Sequence, residues 1–112
     1  MKARIPGAPQ GGNNNMMKRI QEMQENMERI QKEVEATEFS SSVGGGTVEV
    51  VVNGAHEVTA IHINPEVVDP EDVEMLEDLM ISATNESIRK ANEAMEKGME
   101  QAKGGLSIPG LL

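Results

Sequence analysis

The sequence predicts an α+β protein with two long helices and a small antiparallel sheet. Three observations carry this. Met16, Ile20, Met23, Met27, Ile30, Val34 and Thr37 recur at alternating spacings of four and three, which is one apolar seam along a helix. Residues 47–52 read TVEVVV and are followed by Asn53-Gly54, a β-branched strand meeting a strong hairpin signal. The stretch Asp69-Pro70-Glu71-Asp72 then opens a second helical pattern that runs to about residue 103.

Each element follows in chain order. Residues 1–15, rich in Gly, Pro and Asn, read as a flexible tail. Asn14 or Asn15 is the expected cap of the first helix. Its outer face carries Glu25 with Arg29 and Glu28 with Lys32, each four residues apart in the favourable order. Ser40 to Ser42 and Gly44-Gly45-Gly46 break the helical pattern. A short strand over residues 37–42 is placed at the sheet edge. The return strand is expected over residues 56–63, ended by Asn64-Pro65.

With a two-residue type I′ turn, Val48, Val50 and Val52 share a face with Thr59, Ile61 and Ile63. Val51, Val58 and Ala60 then fall on the other face, with Glu49, His56 and His62. Two partly apolar faces on so small a sheet suggest that a second subunit covers one of them. In the second helix Asp69 is the expected cap and Pro70 the first residue, with acids in the first turn against the helix dipole. Its inner stripe is Val73, Leu76, Met80, Ala83, Ser87, Ala91, Ala94 and Gly98, large residues giving way to small ones that admit another helix closely. Gly104-Gly105 ends it. Residues 104–112 read as a flexible apolar tail, and residues 16–103 as one domain.

Size and composition bound the function. The chain has 112 residues, 38% of them hydrophobic, and Phe39 is its one aromatic. Such a core is thin. Helices of roughly 35 and 50 Å exceed a compact fold of this length, whose radius of gyration is about 13 Å. Their ends therefore project as an antiparallel arm, and function is expected in a self-associated shape rather than a pocket. No apolar stretch is long enough to span a bilayer. Residues 1–15 hold Lys2 and Arg4 without a following apolar run, so no secretory signal is expected. The absence of cysteine fits a reducing cytoplasm.

The net charge of −9 is uneven. Residues 1–15 are basic, while residues 65–112 set eleven acids against Arg89, Lys90, Lys97 and Lys103. Net acidity opposes non-specific polyanion binding, so any such binding must use local basic strips. Lys18-Arg19 and Arg89-Lys90 are the best of these. On the residues alone, most of these cations are solvated partners of nearby glutamates.

Other chemistry is sparse. His56 and His62 on one strand face lack the third ligand of a metal site. The acids from Asp69 to Asp78 lack the glycine and spacing of a calcium loop. The triple glycine lacks the Lys-Ser/Thr of a phosphate cradle. No nucleophilic triad is available. The chain is therefore expected to be a non-enzyme without cofactor, metal, membrane or small-molecule substrate.

The ordered set MMKRIQEMQENMERIQKEVEA (16–36), GGGTVEVVVNG (44–54), INPEVVDPEDVEMLEDLMISATNESIRKA (63–91) and GLSIPGLL (105–112) resembles the YbaB/EbfC family of bacterial nucleoid-associated proteins. Its most specific part is Leu76-Glu77-Asp78-Leu79 followed by Ala83, Asn85 and Ser87. The resemblance implies an α-β-β-β-α protomer in a tweezer-like homodimer. It also implies weakly specific binding of double-stranded DNA, a place in the nucleoid, and effects on DNA organisation and gene expression. Transferred to this chain, the DNA contacts are Lys18, Arg19, Arg29, Lys32, Arg89, Lys90 and Lys97. Met23, Met27, Ile30, Val50, Ile61, Leu76, Leu79 and Ala83 are assigned to the core and the dimer. The alternative is a dimeric module that binds a protein partner of DNA repair or replication through its arms or apolar tail.

Overall fold

The computed structural model describes residues 7–104, with side chains from residue 15 onward. Helix α1 (Gly7–Ala36) leads into strands β1 (Glu38–Val43), β2 (Val48–Asn53) and β3 (Val58–Ile63), and helix α2 (Val73–Lys103) follows. The strands form one antiparallel sheet in the order β1-β2-β3. The α-β-β-β-α order and the edge strand are as expected. Residues 1–6 and 105–112 lie outside the described residues, and with them the first six residues of the expected N-terminal tail and all of the C-terminal one but Gly104.

Helix α1 begins at Gly7, upstream of the expected Asn14 or Asn15 cap. Pro9 falls in its first turn, where backbone N–H groups have no intrahelical partner, so the missing donor costs nothing there. With 30 and 31 residues the helices are each about 45 Å long. Helix α2 begins later than expected. Asp72, not Asp69, is its cap, accepting from the Met75 N–H at 3.2 Å. Asp69 instead accepts from the Glu71 N–H at 2.9 Å and closes a turn ahead of the helix. Proline in that turn fits both placements, which is why the pattern alone misplaces the cap.

The hairpin also differs from the two-residue turn. Gly54, Ala55 and His56 form the loop, and Asn53 exchanges backbone hydrogen bonds with Glu57 and His56. Asn53 Oδ1 accepts from the N–H groups of Ala55 (2.9 Å) and Glu57 (3.0 Å). His56 takes a left-handed conformation with φ 67°, as the last residue of a three-residue loop does. His56 therefore leaves the strand, and the strand face carrying both histidines does not exist. A register shift between Val51 and Val52 sets Val58 opposite Val52, so Val58 joins the face expected for Thr59. Ile61 and Ile63 keep the expected face, opposite Val50 and Val48.

Helix α2 lies across β1 and β2. Val48, Val50, Val52, Ala83, Ser87 and Ala91 are fully buried between them. The small residues of the stripe let the helix close onto the sheet, and Ser87 Oγ donates to the Val50 carbonyl at 2.7 Å. Val73 departs from the predicted stripe and is half exposed, because the helix begins there beyond the sheet. Ser41, also buried on this side, has a hydroxyl with no hydrogen-bond partner. The two serines should respond oppositely to alanine. Ser87→Ala is expected to lower the unfolding free energy by about 1 kcal/mol, and Ser41→Ala to leave it unchanged or raise it. Urea midpoints of the two variants check the sign.

Past the sheet, α2 runs on against α1. Ile30 sits at Gly98, where an added Cβ would lie 2.5 Å from Ile30 Cγ2. Both helices leave the sheet at the end marked by Ala36 and the Gly54 loop, so they run antiparallel. The chain extends 82 × 25 × 19 Å with a radius of gyration of 22.8 Å, against about 13 Å for a compact fold. The arm expected from helix lengths is present.

Candidate nucleic-acid interface

The basic residues are spread from the far part of this arm to the sheet rather than gathered in a patch. On α1, Lys18, Arg29 and Lys32 fall within about 60° of one another at 100° per residue, opposite the seam of Met23, Met27 and Ile30. All three are exposed, as is Arg19. On α2, Arg89 points away from the sheet, while Lys90 and Lys97 share a flank two turns apart. With Ile30 level with Gly98, Lys18 lies outward along the arm and Lys90 inward, about 30 Å apart. Arg29, Lys32 and Lys97 lie between. The two best basic pairs thus mark opposite ends of this order along the helices.

Their present partners are weak or structural. Arg29 meets Glu33 Oε2 at 3.5 Å and Asn26 Oδ1 at 3.2 Å. Arg89 pairs with Glu86 one turn earlier. Both pairs are more than two-fifths exposed on each side and contribute little to stability, so they can yield to a phosphate. Among the described residues Lys18, Arg19, Lys32 and Lys97 join no ion pair. Lys90 differs. Its Nζ donates to the Ser40 carbonyl at 2.7 Å, tying α2 to the outer edge of the sheet, where an ammonium also discourages further strand pairing. Nothing in the sequence pattern signalled that role.

The histidines are placed by other groups. His56 Nε2 lies 2.6 Å from Asn92 Oδ1, joining the hairpin loop to α2. His62 Nε2 lies 4.0 Å from Glu49 Oε1 on the open sheet face.

A second surface concerns assembly. The open face of the sheet is largely polar (Glu38, Ser40, Ser42, Glu49 and His62). The unsatisfied apolar surface lies instead on the helix side, because α2 covers β1 and β2 but leaves β3 bare. Ile61 is 43% exposed, Ile63 37% and Val58 50%, and Ile81 on the adjoining flank of α2 is 59% exposed. A groove between them is lined by Ile63, Leu76, Met80 and Ile81, with Glu74, Glu77 and Asp78 at its rim. Val50 and Ala83, assigned to core or dimer, are wholly core. Met23, Met27, Ile30, Leu76 and Leu79 are half-buried.

The family model of the YbaB/EbfC DNA-binding family matches residues 10–106. The chain belongs to this family. It is 51% identical to a nucleoid-associated protein of Clostridium acetobutylicum over 98% of both chains. It is 52% identical to one of Alkaliphilus metalliredigens, covering 94% of this chain and 90% of that one. Among solved structures, an uncharacterized protein of Helicobacter pylori aligns with a TM-score of 0.59 at 24% identity, over 70% of this chain and 90% of that one. That likeness concerns the fold alone.

Proposed function

We propose that this protein is a homodimeric, non-catalytic nucleoid protein that binds duplex DNA with little sequence preference. The observation that carries the proposal is the run of exposed cations from Lys18 and Arg19 on the projecting arm to Arg89 on the part of α2 that lies over the sheet. Membership in a DNA-binding family supports it, and the names of the relatives support a place in the cytoplasmic nucleoid. Ammonium and guanidinium groups spaced along a helix contact phosphates and carry no base readout. The binding is therefore spread broadly over DNA, and effects on gene expression follow from the organisation it imposes. The net charge of −9 confines contact to the arms, because the acidic start of α2 repels the duplex. Titration of duplex DNA across a salt series tests this. A log–log slope of several units is expected, at roughly 0.9 per neutralised phosphate. No binding at low salt would end the DNA reading and favour a protein partner.

The homodimer places the bare β3 surface of two protomers together. Ile61, Ile63 and Ile81 supply the apolar centre, and Glu77 and Asp78 border it. Such a contiguous exposed surface on a thin fold is the usual mark of an interface. Ile61→Asp is expected to yield monomers by sedimentation equilibrium while keeping the helical circular dichroism. Dimers of unchanged stability in that variant would move the interface elsewhere.

A further inference from the structure

The apolar seam of α1 outruns its partner. Ile30 is level with Gly98, and Ala102 is 7% exposed beneath the same seam one turn on. Helix α2 then stops at Gly104, whose φ of 38° turns the chain out of the helix. Beyond that level the seam continues on α1 with Ile20 and Met16, 39% and 57% exposed. They belong to the spacing that buries Met27, Ile30 and Val34 against α2, yet no element of the described residues covers them.

We propose that the segment 105–112, GLSIPGLL, docks on this part of α1 in the same chain. It starts where α2 ends, next to the seam. From Met23 to Met16 the seam is about 10 Å long, and eight residues reach up to about 26 Å, so the segment can cover it without strain. Leu106, Ile108, Leu111 and Leu112 match the seam in character, and the segment carries no charged side chain. Gly104, Gly105 and Pro109 disfavour a helical continuation, which suits an extended strap as the proposed cover. Covalent attachment gives the segment an effective concentration that a free partner must exceed. The strap holds straight the part of the arm that bears Lys18 and Arg19. It does not depend on what those residues bind.

The chain contains no cysteine, which makes the test clean. Ile20→Cys combined with Ile108→Cys is oxidised mildly in the full-length protein, beside a control pairing Lys18→Cys, on the opposite face of α1, with Ile108→Cys. The expected result is a disulfide within one chain, formed at least tenfold faster for the Ile20 pair. Equal rates for the two pairs overturn the proposal. A disulfide between chains overturns it in favour of a second copy on the seam. Hydrogen exchange gives a readout free of new thiols. Amides of residues 17–23 should exchange roughly tenfold faster in a chain ending at Gly104, and unchanged exchange there also overturns the strap.

Discussion

Reversing the four cations of α1, with Lys18→Glu, Arg19→Glu, Arg29→Glu and Lys32→Glu, is expected to abolish duplex DNA binding at moderate salt while leaving a folded chain. Affinity should fall by about 10²-fold or more, and the salt dependence should flatten by roughly 0.9 for every phosphate no longer neutralised. The structure explains why these four are the set to reverse. All are exposed, three lie opposite the apolar seam, and the Arg29 pair with Glu33 is a solvent-exposed interaction at 3.5 Å. Removing such a pair costs little stability. Reversal does set like charges one turn apart, as with Glu25 and Glu28, at about 0.2–0.5 kcal/mol each. Glutamine at the same positions separates the two effects. It removes the phosphate-binding charges without the repulsion, so binding should fall with the melting temperature unchanged. Lys90 is excluded because its ammonium holds the Ser40 carbonyl, and its removal would disturb the sheet edge as well as any phosphate. Undiminished affinity in the glutamine variant would place the DNA on another surface.

The architecture was legible because its signals are local and mutually consistent. The seam of α1, the β-branched run of β2 and the glycine stop of α2 each depend on a few neighbouring residues, and the seam from Met23 to Val34, the strand and the stop fell where expected. The misses have physical causes. The cap of α2 moved from Asp69 to Asp72 because both aspartates accept from a backbone N–H two or three residues on. Sequence does not say which of two such turns the helix joins. The hairpin gained a residue because Asn53 used its side chain to organise the loop, and His56 supplied the left-handed conformation that a two-residue turn would have asked of Gly54. The uncovered surface was sought behind the sheet and lies in front of it. Alternation reports which residues share a face, but not how far a helix reaches across that face. The cations were legible as residues and not in their order along the helices, since that order depends on Ile30 meeting Gly98. The bond from Lys90 to a carbonyl fifty residues away has no local signature at all.

Two glycines fix that arm, and alanine should tell them apart. At Gly98 an added Cβ meets the Cγ2 of Ile30 at 2.5 Å. That methyl sits on a β-branched side chain held to one χ1 rotamer within a helix, so the two helices must part slightly, although alanine is favoured over glycine within a helix by up to about 1 kcal/mol. The overlap outweighs that preference, so Gly98→Ala is expected to lower stability by about 1 kcal/mol, read as a modest drop in the urea midpoint. At Gly54 the added Cβ would enter the backbone carbonyl of Val34, with Val34 Cγ1 at 2.8 Å. The same glycine donates its N–H to the Thr37 carbonyl at 3.1 Å, and Thr37 in turn closes the end of α1 through Glu33 and Val34. No rotamer relieves a clash with backbone, so the hairpin loop and the end of α1 must separate. Gly54→Ala is therefore expected to cost about 3 kcal/mol, a large share of the roughly 5–15 kcal/mol that holds a typical domain. Separation there would release the base of the arm, so hydrogen exchange should rise first around Val34 and Thr37 rather than in β2. A Gly54→Ala variant as stable as the parent would mean that the loop is not seated on α1, and that the packing at Gly98 alone sets the direction of the arm.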